Sequence, residues 1–206
     1  MASETLTVAT CFWTPNRHTA QASRVYTPEW VNRLARGFRR NLTVPHRFVV
    51  LTDREYEFED GIEQERLSTD TPDWSCMIEP FRIEGPLIVV GLDTVIVGNI
   101  DALAHWTINL DRLALPRSPG KDYACNAIAL VPQGHQDIFM RWRGENDMEW
   151  LRTFPHTFIE ERFPGWVSSY KCDIRPNGLG ETRVAYMHGR PKMDEIDADW
   201  VKEHWR

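Results

Sequence analysis

A chain of 206 residues with 42% hydrophobic and 26% charged residues can bury a sizeable core, and it reads as a single globular domain over residues 1–206. Its net charge of −6 gives no general attraction to nucleic acid, and no apolar run is long enough to span a bilayer. The four cysteines (Cys11, Cys76, Cys125 and Cys172) lie far apart, which argues against zinc-ribbon and thioredoxin-type sites.

In chain order, Leu6 to Phe12 predicts a first strand and the polar stretch Trp13 to Arg24 a loop. A helix then starts at Thr27-Pro28-Glu29, with Pro at its first position and an acid in its first turn. Trp30, Val31, Leu34, Ala35, Phe38 and Leu42 recur at helical spacing, and Arg39 and Arg40 suit the negative end. Phe48 to Thr52 predicts a second strand, Ile62 to Leu67 a third, and Leu87 to Val90 a central one. Asn126 to Val131 follows as a strand and Gln136 to Arg143 as a helix. Arg183 to Met187 reads as the last strand and Asp197 to Trp205 as a closing helix. The β-α-β opening, and later strands separated by loops too long for hairpins, predict an α/β fold with a mainly parallel sheet.

The run from Leu87 to Asp101 carries the strongest chemical signal. Its β-branched start suits a strand buried on both faces, and Asp93 stands at its end, inside a bend of apolar chain. A carboxylate there is costly unless it is paired, metal-bound or at an exposed strand end. Ligands of open α/β sheets bind beyond strand carboxyl ends, so Asp93 is the first candidate for chemistry. Asp101 reads equally well as the cap of a helix starting at Ala102. His188-Gly189-Arg190-Pro191-Lys192 ends the last strand. By itself it is a surface turn, whereas beside Asp93 it offers an imidazole ligand, a glycine for close approach and a lysine for a phosphate. Asn126 is either a turn residue or a hydroxyl-binding amide, and Asp147 either a helix-start carboxylate or a site acid. Nine Trp lean towards a carbohydrate or aglycone site. There is no P-loop, nucleophile elbow, His-Glu-x-x-His or dinucleotide fingerprint.

Taken together, these segments resemble the small GT-A-type glycosyltransferases related to glycosyltransferase family 8, the glycogenin and galactosyltransferase group. The likeness runs through the first strand, Tyr26 to Leu34, Trp74 to Phe81, Gly91 to Leu103, Asn126, Asn146 to Trp150, Ser169-Tyr170-Lys171 and His188 to Trp205. It implies one GT-A-like, Rossmann-like domain with a mixed, mainly parallel sheet flanked by helices. It also implies retaining transfer of a sugar from a nucleotide sugar, a UDP-sugar by family habit, to an unidentified acceptor. Carried over, Asp93 and His188 are the ligands of a divalent cation, Mn²⁺ or Mg²⁺, and Lys192 and Gly189 hold the donor's diphosphate. Asn126 contacts the donor sugar, Asp147 lies near the reacting carbon, and Thr10 and Tyr26 fall where the uridine sits. The sequence departs from the pattern at Gly91, where the family has the first Asp of its Asp-x-Asp, at Met77, where it commonly has Lys, and at Met148, where it has Gln. A catalytically degenerate nucleotide-sugar- or glycan-binding relative is the alternative these departures motivate.

The compartment expected is the reducing cytoplasm, because the start of the chain shows no basic-then-apolar leader and the cysteines read as free thiols. Beyond donor and acceptor, no nucleic-acid partner is expected. The chain leaves little room for a separate acceptor domain, so a partner or a second copy in a homo-oligomer is a natural source of that surface.

Overall fold

The computed structural model describes residues 5–206. Met1 to Glu4, on which the expectation about a leader falls, lie outside the described residues. The chain runs β1 (Leu6–Phe12), α1 (Ala20–Ser23), α2 (Pro28–Asn41), β2 (His46–Thr52), β3 (Ile62–Arg66), a 3-10 segment (Trp74–Arg82), β4 (Leu87–Val90) and β5 (Thr94–Ile96). It continues through α3 (Asp101–Ile108), β6 (Leu113–Leu115), β7 (Ile128–Val131), α4 (Asp137–Met140), α5 (Asp147–Arg152), β8 (His156–Phe158) and β9 (Val167–Ser169). The helical turn α6 (Arg175–Asn177), β10 (Val184–Tyr186) and α7 (Asp199–His204) complete it.

Seven strands form the main sheet in the order β3-β2-β1-β4-β7-β6-β8. The pairs β1 with β2, β1 with β4, β2 with β3 and β6 with β8 are parallel, whereas β7 is antiparallel to both β4 and β6. The sheet is therefore mixed and mainly parallel, with helices on its faces. Alternation along the strands feeds two cores. Leu6, Val8, Val50, Ile88 and Val90 pack with Trp30, Val31, Leu34 and Phe38 of α2. Ala9, Val49, Leu51, Leu87 and Val89 pack instead with Cys76, Ile78 and Phe81 of the 3-10 segment. Both faces being covered, β4 had to be apolar at every position, which is why it reads as an unbroken run.

α2 starts where Pro28 and Glu29 predict, although the Thr27 side chain makes no cap hydrogen bond. The loop predicted over Trp13 to Arg24 contains the short α1. The predicted helices at Gln136 to Arg143 and Asp197 to Trp205 shrink to Asp137–Met140 and Asp199–His204.

A second sheet of three strands, β5-β10-β9, was not foreseen. β10 is antiparallel to β5, with Tyr186 opposite Thr94, and parallel to β9, with Tyr186 opposite Ser169. Between β4 and β5 the chain leaves the main sheet and enters the small one, and the crossing is Gly91-Leu92-Asp93. No described helix is long and apolar enough to cross a membrane.

Candidate active site

Asp93 lies at the junction of the two sheets, and its surroundings follow from strand direction. The antiparallel pairing of β5 with β10 brings the residues after Tyr186 back against Asp93, and the Met187 amide donates to the Asp93 carbonyl at 2.9 Å. His188 is the next residue, so a carboxylate and an imidazole far apart in sequence come to line one cavity. Ser169, at the end of β9, meets the His188 ring through Oγ and Nδ1 at 3.2 Å.

Asn126 arrives by the same logic. Because β7 runs antiparallel to β4, with Val90 opposite Ile128, the residues preceding β7 meet the carboxyl end of β4. Asn126 Nδ2 donates to the Asp147 carboxylate, which belongs to the first turn of α5. Asn146 caps that turn by accepting from the Glu149 amide at 3.2 Å. Burial pushes the Asp147 pKa above the ordinary carboxylate range, against the lowering pull of the Met148 amide and of Asn126.

These groups open onto a cavity of about 440 Å³, bounded by Asp93, His188, Asn126 and Asp147 together with Trp13 and Trp74. Gly91, Met77 and Met148, the three departures from the family pattern, line the same space. A second cavity, about 300 Å³, shares Tyr26, Trp74 and Asp93 with the first and adds Gly189, Arg190 and Lys192.

Lys192 does not extend freely into solvent. It is 7% exposed, and its ammonium is ion-paired with Asp93 Oδ2 and donates to the Met187 carbonyl at 3.2 Å. Glu195 accepts from the Lys192 amide at 2.8 Å and fixes the turn. The Tyr26 hydroxyl donates to Asp93 Oδ2 at 3.4 Å, and burial together with that carboxylate keeps the phenol protonated. Gly189 has φ +68, and a β-carbon there would stand 3.3 Å from Lys171 Nζ, so its bare backbone lets two lysines approach one turn. Burial, and then the Lys171 ammonium, lower the His188 pKa below the usual imidazole value.

Thr10 stands apart. It is fully buried in β1 on the face of Val8 and Phe12, its hydroxyl has no partner, and it lines neither cavity. Cys11 and Phe12, at the end of the same strand, and Trp13 just after it reach the site, because a ligand meets a parallel strand beyond its carboxyl end. Asp101 is also elsewhere. It accepts from the Thr43 amide at 2.7 Å and the Thr43 hydroxyl at 2.6 Å, a link between α2 and α3. The residues not singled out as candidates are Trp13, Trp74, Ser169 and Lys171. Trp13 follows β1, Trp74 opens the 3-10 segment, Ser169 ends β9 and Lys171 lies in the π-helical turn after it. The Trp count is a signal for the two tryptophans, and the likeness at Trp74 to Phe81 and Ser169-Tyr170-Lys171 is one for the segments holding Trp74, Ser169 and Lys171.

No protein-family model matches the chain, and no curated protein does. Among solved structures, the galactosyltransferase LgtC in complex with donor and acceptor sugar analogs superposes with a TM-score of 0.60 over 96% of this chain and 94% of that chain, at 10% identity. The fold is that of the GT-A-type glycosyltransferases.

Asp93 and His188 are the two candidate ligands of a divalent cation, and among the described residues no third His, Cys, Asp or Glu joins them. One oxygen of Asp93 is engaged by Lys192 and Tyr26, and one nitrogen of His188 by Ser169. One carboxylate and one imidazole leave most of the coordination shell to phosphate and water, and the Lys192 ammonium already on that carboxylate repels a dication brought to it, so this donor set fits neither Mn²⁺ nor Mg²⁺ well.

Proposed function

We propose that this chain is a glycosyltransferase that moves a sugar from a nucleotide sugar, a UDP-sugar, to a hydroxyl of an acceptor, with retention of anomeric configuration. The observation that supports this most is convergence. Asp93, His188, Asn126 and Asp147, from four separate segments, meet at one cavity beyond the carboxyl end of the central strand, with Lys192 and Gly189 in the adjoining one. Contiguous cavities with different linings suit a two-part donor. The smaller, with Lys192 and Arg190, suits a diphosphate, and the larger, with Trp13, Trp74, Asn126 and Asp147, suits a sugar and its acceptor.

In the reaction, the bond from the anomeric carbon to the diphosphate oxygen breaks and its electron pair stays with the diphosphate. The acceptor oxygen bonds the same carbon, and its proton passes to the departing diphosphate. Lys192 stabilises charge on that leaving group. Asn126 and Asp147, locked to each other, orient sugar and acceptor hydroxyls. The test is nucleotide release from a panel of UDP-sugars. Asp93→Ala with an unchanged circular-dichroism spectrum is expected to lower release by at least about 10²-fold, and unchanged turnover removes Asp93 from the mechanism.

A second reading, a binding module that holds the nucleotide sugar without turnover, is favoured by Met77, Met148 and Gly91 lining the same cavity where polar side chains would grip the reactants. UDP binding by calorimetry with no sugar release from any donor selects it.

A further inference from the structure

The contact between Lys192 and Asp93 spans 99 positions of sequence and sits where the two cavities meet. An ammonium has three N–H bonds. One goes to Asp93 Oδ2 and one to the Met187 carbonyl, which leaves one for a ligand in the smaller cavity that Lys192 lines. The Tyr26 ring, 5.6 Å from Nζ, covers another side of the same charge.

We propose that this chain binds its donor's diphosphate without a divalent cation, the Lys192 ammonium taking the place of the metal between Asp93 and the phosphate oxygens. The inference rests on the nucleotide-sugar reading above. Charge matching supports it. A carboxylate pair calls for a dication, whereas a lone Asp93 is balanced by one ammonium. Lys171, close against Gly189, brings a second ammonium to the same turn, so the two lysines together carry the charge of one divalent ion. The backbone was also cleared for this arrangement. A β-carbon at Gly91 would stand 2.9 Å from Asp93 Oδ1, so a side chain there requires the carboxylate that meets Lys192 to shift. A dication inserted between Asp93 and His188 would stand against the Lys192 ammonium already paired with that carboxylate, a like-charge contact at a partly buried site.

The experiment is calorimetric binding of UDP, with ADP, GDP and CDP in parallel, to the full chain in EDTA and in MnCl₂. The expected result is the same affinity within about threefold in both. Lys192→Met, which keeps length and removes charge, is expected to weaken binding in EDTA by at least about tenfold. Gly91→Asp is expected to make binding at least about tenfold tighter with Mn²⁺ than without it. Binding by the unaltered protein that is tenfold tighter in MnCl₂ overturns the inference and leaves the transferase reading standing, and this comparison needs no variant to fold. Wild-type affinity of Lys192→Met in EDTA also overturns it. Failure of every nucleoside diphosphate to bind in either buffer overturns the nucleotide-sugar reading itself.

Discussion

Asp147 is an acid far from the setting of an ordinary surface carboxylate. It is 6% exposed, and loss of hydration raises its pKa despite the hydrogen bonds that oppose the rise. The sign of its effect on stability follows. A carboxyl that holds its proton more tightly folded than unfolded makes folding less favourable as pH climbs from the ordinary carboxylate value through the raised one. Asp147→Asn is therefore expected to raise the melting temperature at neutral pH by about 2–4 °C, with the gain fading as the pH is lowered to about 4. Thermal melts at several pH values check this. Because the role proposed for Asp147 is to orient the reactants, the same exchange is expected to lower kcat by about 10²-fold with donor KM little changed, measured in steady-state kinetics. Asp93 belongs to a different class. Its carboxylate is paired with Lys192, so its removal strands a nearly buried ammonium as well as emptying the site.

The decisive elements are short. β5, β9 and β10 have three residues each, too few for a two-residue period to show, yet their pairing sets Asp93, Ser169 and His188 beside one another. The long elements were legible because their patterns repeat. α2 shows its Pro28 start and apolar stripe over fourteen residues, and β1 is apolar or threonine throughout. α3 is held to the end of α2 through Asp101, whose pKa is lowered to about 2 by Asn99 and Thr43. A lowered carboxyl pKa stabilises the fold above the ordinary carboxylate range, and the contribution vanishes as pH falls towards about 2. Asp101→Ala is expected to cost about 1 kcal/mol at neutral pH, with UDP affinity unchanged. Urea titrations should find the difference from the unaltered protein closing between about pH 4 and pH 2.

At the scale of the whole molecule, the site is a seam between two sheets. Its lining comes from the first half of the chain, through Trp13 and Asp93, and from the second, through Asn126, Asp147 and the turn after β10. A ligand in that seam touches both halves and stabilises the folded chain by mass action. UDP at a hundredfold excess over its Kd is expected to add about 2.7 kcal/mol, and Asp93→Ala to lose most of that increment. Denaturant titration with and without UDP measures it. The antiparallel β7 shows what the linear reading could not weigh. Loops too long for hairpins suggested parallel strands, but the reversal of β7 is what turns Asn126 towards Asp93 rather than to the amino end of β4.

The sequence by itself determined the α/β class, the central strand ending near Asp93, the α2 helix and the residue types available for chemistry, because buried strands and amphipathic helices write their periodicity into consecutive residues. Only the tertiary structure decided which of those residues meet. It withdrew Thr10 into the core, assigned Asp101 to joining two helices, and set Lys192 on Asp93 instead of leaving it as a free phosphate-binding arm. The physical reason is that an ion pair or a shared cavity depends on strand direction and sheet order, and those are fixed by burial over the whole chain rather than by neighbours along it.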